Sequence, residues 1–428
     1  MAATTSRKKV VVLGGGFAGL TFCKGLRSPR YEITLVDRQN HHLFQPLLYQ
    51  VATAALSAPD IAQPLRSILA DHANVTTLMD EVESVDLSGQ RVRCHSRVLD
   101  YDYLVIALGA RTGYFGHDNW EAATVGLKSL DDAMEIRRRV LLAFERAEAS
   151  TDAAEIERLL TFVVVGGGPT GVEMAGALAE LAGRVMERDF RRIDPAKARI
   201  HLIESGPRLL SMFAPQLADY TVAQLARMGV TVHLNSAVKE IGADYVVAGT
   251  NRLGAGLVLW AAGVEASGVT RGLPGIPLDR AGRIEVQPDL SLPGHPQVFA
   301  AGDIVSLVDK NGIRVPGVAP AAIQMGRHIA RLIEHDERFR LAAAKFITAI
   351  PRPAFAYFDK GIMATIGRSH AVAAAFGLKF RGFVAWLMWL FIHLMFLVGF
   401  RNKASVVFQW VWSYLTWQRG ARIILGKR

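Results

Sequence analysis

The chain has 428 residues, of which 50% are apolar and 21% charged, so the composition excludes a disordered protein and predicts two or three domains. Its net charge of +10 would suit a nucleic-acid-binding protein, but the whole excess follows Asp359. Five of the seven tryptophans lie in the same basic tail. Basic residues and tryptophans beside long apolar runs are typical of proteins on an anionic membrane surface, so no nucleic-acid partner is expected.

The first predicted element is the strand Val10–Leu13, which leads into a Gly-x-Gly-x-x-Gly loop and a helix. The next strand, "YEITLVD", ends in an acid that could hydrogen-bond a ribose hydroxyl, while the helix N-terminus could bind a pyrophosphate. The pattern predicts a dinucleotide site, with a purely structural glycine turn as the alternative. The predicted cofactor contacts here are Gly14, Gly16, Phe17, Ala18, Gly19, Asp37 and Arg38.

The same pattern recurs after the strand Phe162–Val165, with a second glycine loop, an Ala-rich helix and a strand that ends in Glu204. A carboxylate at that position accepts from the 2′-hydroxyl of NADH and repels the 2′-phosphate of NADPH. A solvated strand end is the alternative interpretation of Glu204. The predicted contacts of this second site are Gly166, Gly168, Thr170, Gly171, Glu204 and Gly263.

Three further apolar strands end in turns of small residues, which would let the strand ends approach a cofactor. They are "YDYLVIALGA", "GLVLWAAGV" and "HPQVFAAGD", and the predicted contacts in them include Ala107, Gly109 and Gly302. Two such sites in one chain indicate one tightly held dinucleotide and one exchangeable dinucleotide. No metal-ligand spacing is present in the sequence.

The tail predicts two helices. The first, Gly382–Phe400, contains one ionisable residue and would be ~28 Å long, enough to cross a bilayer. The second, Ala404–Gln418, carries a stripe of Ser and Thr hydroxyls and a Gln amide on an otherwise apolar surface. We expect both helices to lie on one face of the membrane, with a transmembrane span or a buried core helix as alternatives. The predicted membrane anchors are Trp386, Trp389, Trp410, Trp412 and Trp417. The tryptophans of the second helix are expected at headgroup depth, with Arg419 and Arg422 toward lipid phosphates.

The two glycine loops and "VFAAGD" resemble those of flavoproteins with two dinucleotide-binding domains. This resemblance implies FAD at the first loop, a nicotinamide cofactor at the second, and contact of Asp303 with the linker of the flavin. No cysteine pair follows Asp37, so disulfide reductases and sulfide-oxidising relatives are disfavoured. The segments "HHLFQPLLYQVATAALSAPDIA", "GGGPTGVEMAGALAE", "PGVAPAAIQMGRHIA", "AYFDKGIMATIGRSHAV" and "GFVAWLMWLFIHLMFLVGFRNK" resemble the type II NADH dehydrogenases, which are single-subunit NADH:quinone oxidoreductases.

This resemblance implies an α/β fold with two Rossmann-like domains, the FAD domain being interrupted by the NADH domain. It implies FAD-binding parts at 1–115 and 286–345, an NADH-binding domain at 116–285 and a membrane-anchoring region at 346–428. It also implies non-covalent FAD, NADH as substrate, a membrane quinone as acceptor and no proton pumping. A homodimer on the cytoplasmic face of the membrane is expected.

The resemblance assigns catalytic roles to Glu173 and Gln324, near the nicotinamide and the quinone. For Glu173 the alternative is an acid favoured on the first turn of a helix, and for Gln324 a residue that satisfies loop backbone. The quinone motif of the family has a glutamine where this chain has Pro320, which lacks an amide N–H. The expected quinone-site residues are Tyr49, Gln50, Pro320, Ala321 and Gln324, with a packing role as the alternative for Tyr49.

Two other functions remain open from the sequence. One is a soluble FAD-dependent reductase that donates electrons to a ferredoxin-like protein, which would leave the apolar tail unexplained. The other is a non-enzymatic NADH-binding membrane protein, against which the two intact glycine loops argue.

Overall fold

A computed structural model describes residues 7–187, 189–343, 352–417 and 419–424, with side chains described only to 336 within the helix that ends at Ala343. The helices in chain order are α1 (Phe17–Gly25), α2 (Leu48–Ala52), α3 (Ala58–Ile61), α4 (Leu65–Ile68), α5 (Leu130–Ala149), α6 (Ala153–Leu159), α7 (Pro169–Glu180), α8 (Pro215–Arg227), α9 (Ala319–Ala343), α10 (Gly382–Phe396) and α11 (Phe400–Thr416).

The strands in chain order are β1 (Lys8–Leu13), β2 (Tyr31–Asp37), β3 (His41–Leu43), β4 (Ala62–Pro64), β5 (Val75–Met79), β6 (Val82–Asp86), β7 (Arg91–Cys94), β8 (Val98–Asp100), β9 (Tyr103–Ile106), β10 (Ala110–Thr112), β11 (Thr161–Val165), β12 (Arg199–Ile203), β13 (Val230–His233), β14 (Val238–Ile241), β15 (Tyr245–Ala248), β16 (Asn251–Gly254), β17 (Leu257–Trp260), β18 (Val264–Ala266), β19 (Ile284–Glu285), β20 (Ser291–Leu292), β21 (His295–Ala300), β22 (Val305–Ser306), β23 (Ile362–Thr365), β24 (Ala371–Ala375) and β25 (Leu378–Arg381).

The chain divides into two compact units. The first unit comprises Met1–His42, Gln63–Arg111 and Val264–Asp359, and the second comprises Leu43–Ala62, Thr112–Gly263 and Lys360–Arg428.

The first unit is built on a six-stranded sheet in the order β20-β21-β9-β1-β2-β5, in which all strands but β20 are parallel. Because such a sheet is covered on both faces, its central strands are continuously apolar, and Val10–Leu13 is buried throughout. Helices α1 and α9 pack against each other at Gly326, where a Cβ would overlap the carbonyl oxygen of Ala18. This contact brings the N-terminal half of α9 beside the first glycine loop.

The second unit contains a four-stranded parallel sheet in the order β13-β12-β11-β17, and every residue of β11 is buried. It also contains two three-stranded antiparallel sheets, β14-β15-β16 and β23-β24-β25. Helix α10 packs on the second of these. Both parallel sheets have the strand–glycine loop–helix–strand order predicted from the sequence, so the α/β fold is confirmed.

The tail helices differ from their predicted bounds. Helix α10 ends at Phe396 rather than Phe400, and α11 begins at Phe400 rather than Ala404. The break lies at Gly399, whose φ of 87° is in the left-handed region that favours glycine. Helix α10 is therefore about 22 Å long at ~1.5 Å per residue, shorter than the predicted ~28 Å. Among the described residues, no helix has both the length and the apolar character needed to cross a membrane.

Candidate functional site

The first glycine loop, between β1 and α1, has the geometry of a phosphate cradle. Gly14 has a φ of 100°, and a Cβ there would overlap the carbonyl oxygen of Ala107 at the end of β9. A Cβ on Gly19 would overlap the carbonyl oxygen of Gly14, so α1 can start this close to β1 only with a glycine at position 19. Gly16, in contrast, is exposed, and a Cβ added to it would meet no other group within 4 Å, which leaves its backbone open to a ligand.

Asp37 completes the rim of this cradle. One carboxylate oxygen accepts from the amide of Gly15 at 2.5 Å, and the other accepts from the amide of Gln39 at 2.7 Å. Each oxygen retains a further lone pair, which a ribose hydroxyl could use. Arg38 is exposed, and the ring of Phe17 packs edge-on against His42 with the centroids 5.0 Å apart. The residues therefore fit the adenosine and pyrophosphate parts of a dinucleotide.

The turn after β21 lies in the same unit and approaches the start of α1. Gly302 has a φ of 84°, and a Cβ there would be 3.6 Å from the Cβ atoms of Ala18 and Ala322. Asp303 lies beside Gly317, in the loop that precedes α9. Gly109, after β9, also has a positive φ of 68° and no close neighbour around its Cβ position. The predicted contacts of the first glycine loop and of these turns therefore belong to one unit.

The second glycine loop, between β11 and α7, repeats the first. Gly166 has a φ of 111° and lies against the backbone of Ala261, while a Cβ on Gly171 would overlap the carbonyl oxygen of Gly166. Gly168 has no neighbour around its Cβ position, and Thr170 lies in the first turn of α7. Gly263, after β17, has a φ of 73°.

Glu204 occupies the position in the second unit that Asp37 has in the first. Its carboxylate oxygens accept from the amides of Gly167 and Gly206, both at 2.6 Å. The glutamate is thus fixed at the edge of the loop rather than free in solvent, so its alternative interpretation as a solvated strand end is not what the structure shows.

A chain of hydrogen bonds in the second unit connects Glu173 to α11. Thr365 donates from its amide to Glu173 at 3.3 Å, and its hydroxyl lies 3.0 Å from that of Tyr49. The side-chain amide of Gln50 donates to the Tyr49 hydroxyl at 3.0 Å and accepts from the indole N–H of Trp410 at 2.8 Å. Tyr49 and Gln50 are buried, so the structure brings these two predicted residues close to Glu173.

Glu173 is the fifth residue of α7, so it lies one position beyond the first turn that the sequence predicts for it. The helix dipole is therefore not the main influence on its carboxyl group. Burial raises the pKa of Glu173 to about 8, and the single hydrogen bond from Thr365 opposes this only in part. Burial and the nearby Glu173 also raise the pKa of the Tyr49 hydroxyl. A carboxyl group with a pKa near neutrality can hold or release a proton at physiological pH.

The side-chain amide of Gln324, on α9 in the first unit, makes two hydrogen bonds to the backbone of a single residue. Its nitrogen donates to the carbonyl oxygen of Phe358, and its oxygen accepts from the amide of Phe358, both at 2.9 Å. This is the loop-satisfying arrangement that the sequence left as an alternative. Pro320 and Ala321 lie in the first turn of the same helix, and Ala321 is buried.

The tail arginines bind groups of the protein, whereas the sequence predicts that they point toward lipid phosphates. Arg419 is 7% exposed, donates to the carbonyl oxygen of Thr53 at 2.9 Å and pairs with Glu180 at 3.0 Å. Arg422 pairs with Asp189. Both guanidinium groups are attracted to carboxylates of the protein, and burial raises the pKa of Glu180 against the opposing attraction of Arg419.

The predicted anchor tryptophans separate into two groups. Trp389 is 1% exposed and stacks on His393 with the centroids 4.1 Å apart, so it packs inside the protein instead of serving as the predicted anchor. Trp386 and Trp410 are partly buried. Trp412 and Trp417 are exposed, together with apolar residues of both helices. We call this exposed set the apolar face, which comprises Phe383, Val384, Leu387, Phe391, Met395 and Phe396 of α10 and Phe400, Val407, Phe408, Val411, Trp412, Tyr414 and Leu415 of α11, with Trp417.

Sequence reasoning missed several residues of this region, above all Thr365, Asp60 and the pair Glu180–Arg419. Their partners are 192 to 349 residues away in the chain, so no local spacing could have indicated the contacts.

Comparisons with known proteins give a consistent result. A sequence model of the pyridine nucleotide-disulphide oxidoreductase family matches residues 8–326. The type II NADH:quinone oxidoreductase Ndh of Mycobacterium tuberculosis is 42% identical over 434 residues, which cover 99% of this chain and 91% of the relative. The type II NADH:quinone oxidoreductase of Staphylococcus haemolyticus is 28% identical, over 88% of this chain and 92% of the relative.

Among solved structures, NDH2 from Plasmodium falciparum in complex with NADH superposes with a TM-score of 0.87 at 20% identity, over 98% of this chain and 100% of that chain. The sulfide:quinone oxidoreductase of Aquifex aeolicus has a TM-score of 0.71, also at 20% identity, over 93% of this chain and 92% of that chain. At 20% identity, these two solved structures show a shared fold alone.

Proposed function

This chain belongs to the type II NADH:quinone oxidoreductases, and from that premise we propose how its own residues serve the reaction. The enzyme is FAD-dependent and transfers two electrons from NADH to a quinone. FAD bound to the protein would supply the two-electron redox chemistry between NADH and the quinone. The protein binds and orients the two partners and controls the associated protons.

The first glycine loop is proposed to hold FAD. Gly14, Gly16 and Gly19 would allow the pyrophosphate to meet the N-terminus of α1, and Asp37 would bind the ribose. Asp303, at the turn beside Gly317, is proposed to contact the linker of the same cofactor. Phe17, Ala18, Arg38, Ala107, Gly109 and Gly302 complete the proposed set.

The second glycine loop is proposed to bind NADH, which exchanges in each turnover. Gly166, Gly168, Thr170 and Gly171 surround the N-terminus of α7, while Gly263 forms the turn after β17. The fixed carboxylate of Glu204 supports a preference for NADH, because a 2′-phosphate would be repelled by a negative charge that cannot turn away.

The catalytic proposal rests on the carboxyl group of Glu173. Its raised pKa and its contact with Thr365 suit a group that takes up or delivers a proton while the quinone is reduced. Tyr49 and Gln50 are proposed to line the approach to it. A Glu173→Gln variant should lower NADH:quinone turnover, and full turnover with unchanged NADH affinity would remove this residue from the mechanism.

For the quinone, Gln324, Pro320 and Ala321 are proposed to form the side of the site contributed by α9. Because the amide of Gln324 already binds the backbone of Phe358, we propose that it shapes the loop that borders the quinone. A Gln324→Ala variant should then raise the KM for quinone and leave NADH oxidation by a small soluble acceptor unchanged.

We further propose that the apolar face meets an anionic bilayer on the cytoplasmic side and that the enzyme is a homodimer. The support for the first is the number of exposed aromatic and aliphatic side chains on α10 and α11 and the excess of basic residues in the tail. Sedimentation with vesicles and analytical ultracentrifugation in detergent test the two proposals separately.

The test of the whole assignment is optical. Protein purified in detergent should be yellow, NADH should bleach it, and a menaquinone or ubiquinone analogue should restore the colour. Bleaching without recovery by any quinone would instead favour the soluble reductase of a ferredoxin-like protein. Colourless protein that cannot be reconstituted with FAD would favour the non-enzymatic alternative.

A further inference from the structure

Helix α11 is seated on the second unit through its polar side. Asn402 donates from its side-chain amide to the carbonyl oxygens of Pro59 and Ala62, at 3.2 and 3.3 Å. The Ser405 hydroxyl donates to Asp60 at 2.7 Å, and the Gln409 amide donates to the same carboxylate at 2.7 Å. These positions are three and four residues apart, so they form one stripe along the helix.

The apolar contacts of α11 are few. Among its described residues Val406 is fully buried, and the rings of Trp410 and Tyr414 pack against Trp389 and Trp386 of α10. On the opposite side, Phe408 is 67% exposed and Leu415 is 74% exposed. In a water-soluble protein a helix turns its apolar side inward, so α11 has the reverse arrangement.

Asp60 explains why the reverse arrangement is stable. The residue is 6% exposed, and its carboxylate also accepts from the amide and the hydroxyl of Ser57 at the start of α3. A buried carboxylate needs several donors, and two of its donors come from α11. If the helix rotated about its axis, Asp60 would lose both.

We propose that Asp60 is a positioning residue that fixes the rotation of α11 about its own axis, so that the apolar face points away from the protein and toward the bilayer. This inference rests on the proposed membrane attachment. Each hydrogen bond to a charged group favours the seated helix by roughly tenfold or more.

The experiment measures orientation as well as binding. The two cysteines, Cys23 and Cys94, are buried, so a cysteine introduced at Leu415 or at Ser413 can be labelled selectively with an environment-sensitive dye. Leu415 is on the apolar face, whereas Ser413 is partly buried and continues the polar stripe four residues after Gln409. Lipid-borne quenchers in vesicles of phosphatidylcholine and phosphatidylglycerol then report which of the two positions faces the acyl chains.

In the FAD-loaded parent protein, the dye at position 415 should be quenched more than the dye at position 413. We define the quenching ratio as the quenching at position 415 divided by that at position 413. Asp60→Ala should reduce this ratio by at least about threefold, because both charged hydrogen bonds to α11 are lost. Asp219→Asn, on the exposed side of α8, removes one negative charge without touching α11 and should leave the ratio unchanged.

Gln409→Leu provides the second variant, since it removes one donor without altering Ser57 or the start of α3. It should lower the quenching ratio by less than Asp60→Ala. An unchanged ratio in both variants, with vesicle binding and thermal unfolding as in the parent, would overturn the role of Asp60. A parent protein that does not bind the vesicles at all would overturn the membrane attachment itself, and the inference with it.

Discussion

Glu173 provides a test in which loss of a catalytic group should increase stability. Its pKa is raised from 4.5 to about 8, which at about 1.4 kcal/mol per tenfold change in acidity corresponds to about 5 kcal/mol. The folded protein favours the protonated carboxyl group more strongly than the unfolded chain does. The stability that the protein has with Glu173 protonated is therefore fully present below pH 4.5. It is lost as the pH rises to about 8, because the buried carboxyl group then loses its proton.

Glu173→Gln replaces the acid with a neutral side chain of the same shape and removes this pH-dependent cost. Because Glu173 is partly exposed, solvent screening should reduce the gain to about 2–3 kcal/mol above pH 8, or roughly 4–12 °C in melting temperature. Near pH 4.5 the variant and the parent should unfold at the same temperature. Melting would be followed by intrinsic fluorescence at saturating FAD between pH 5 and 8.5.

The matched control is Glu187→Gln, which removes a negative charge from an exposed position of the same unit. A Glu173→Gln variant that melts below the parent at every pH, or at a constant offset from it, would refute the burial of this carboxyl group as the cause of its raised pKa.

Three further outcomes are expected. Arg419→Ala should cost about 3 kcal/mol in thermal unfolding because it removes the ion pair of a largely buried Glu180 and leaves the amide of Arg368 as its donor, whereas Arg422→Ala should cost under about 1 kcal/mol; equal losses would contradict the difference in burial. Glu204→Ser should lower the ratio of kcat/KM for NADH to that for NADPH by about tenfold or more, because the variant loses the charged hydrogen bond to the 2′-hydroxyl of NADH and the repulsion of the 2′-phosphate of NADPH. An unchanged ratio would exclude Glu204 from cofactor choice. Leu415→Asp should weaken vesicle binding by about tenfold or more in a sedimentation assay, and undiminished binding would place the bilayer elsewhere.

The geometry of the two glycine loops could be predicted because its causes are local. A tight turn, a close helix start and a terminal acid require glycines and a carboxylate at fixed spacings, and Asp37 and Glu204 each accept from an amide of the glycine loop beside them. The strand "YEITLVD" has the predicted bounds for the same reason, since its apolar pattern and its flanking turns are both in the local sequence.

The tail could be predicted only in part, because its polar residues are defined by distant partners. The spacing of Ser405 and Gln409 predicts their stripe, but its direction depends on Asp60, more than 340 residues earlier in the chain. Arg419 is expected at a surface because arginine usually lies there, and nothing near it in the sequence indicates Glu180. The predicted end of α10 is too late because an apolar run continues past Phe396 to Gly399.

The chain of hydrogen bonds from Trp410 through Gln50, Tyr49 and Thr365 to Glu173 has a mechanical consequence. In the proposed membrane attachment, α11 is subject to the lateral pressure and thickness of the bilayer, and a small tilt of this helix would alter the spacing of these donors and acceptors. The acidity of Glu173 would then change with the physical state of the lipid. Turnover should therefore respond to acyl-chain length and fluidity even when the concentrations of NADH and quinone in the bilayer are held constant.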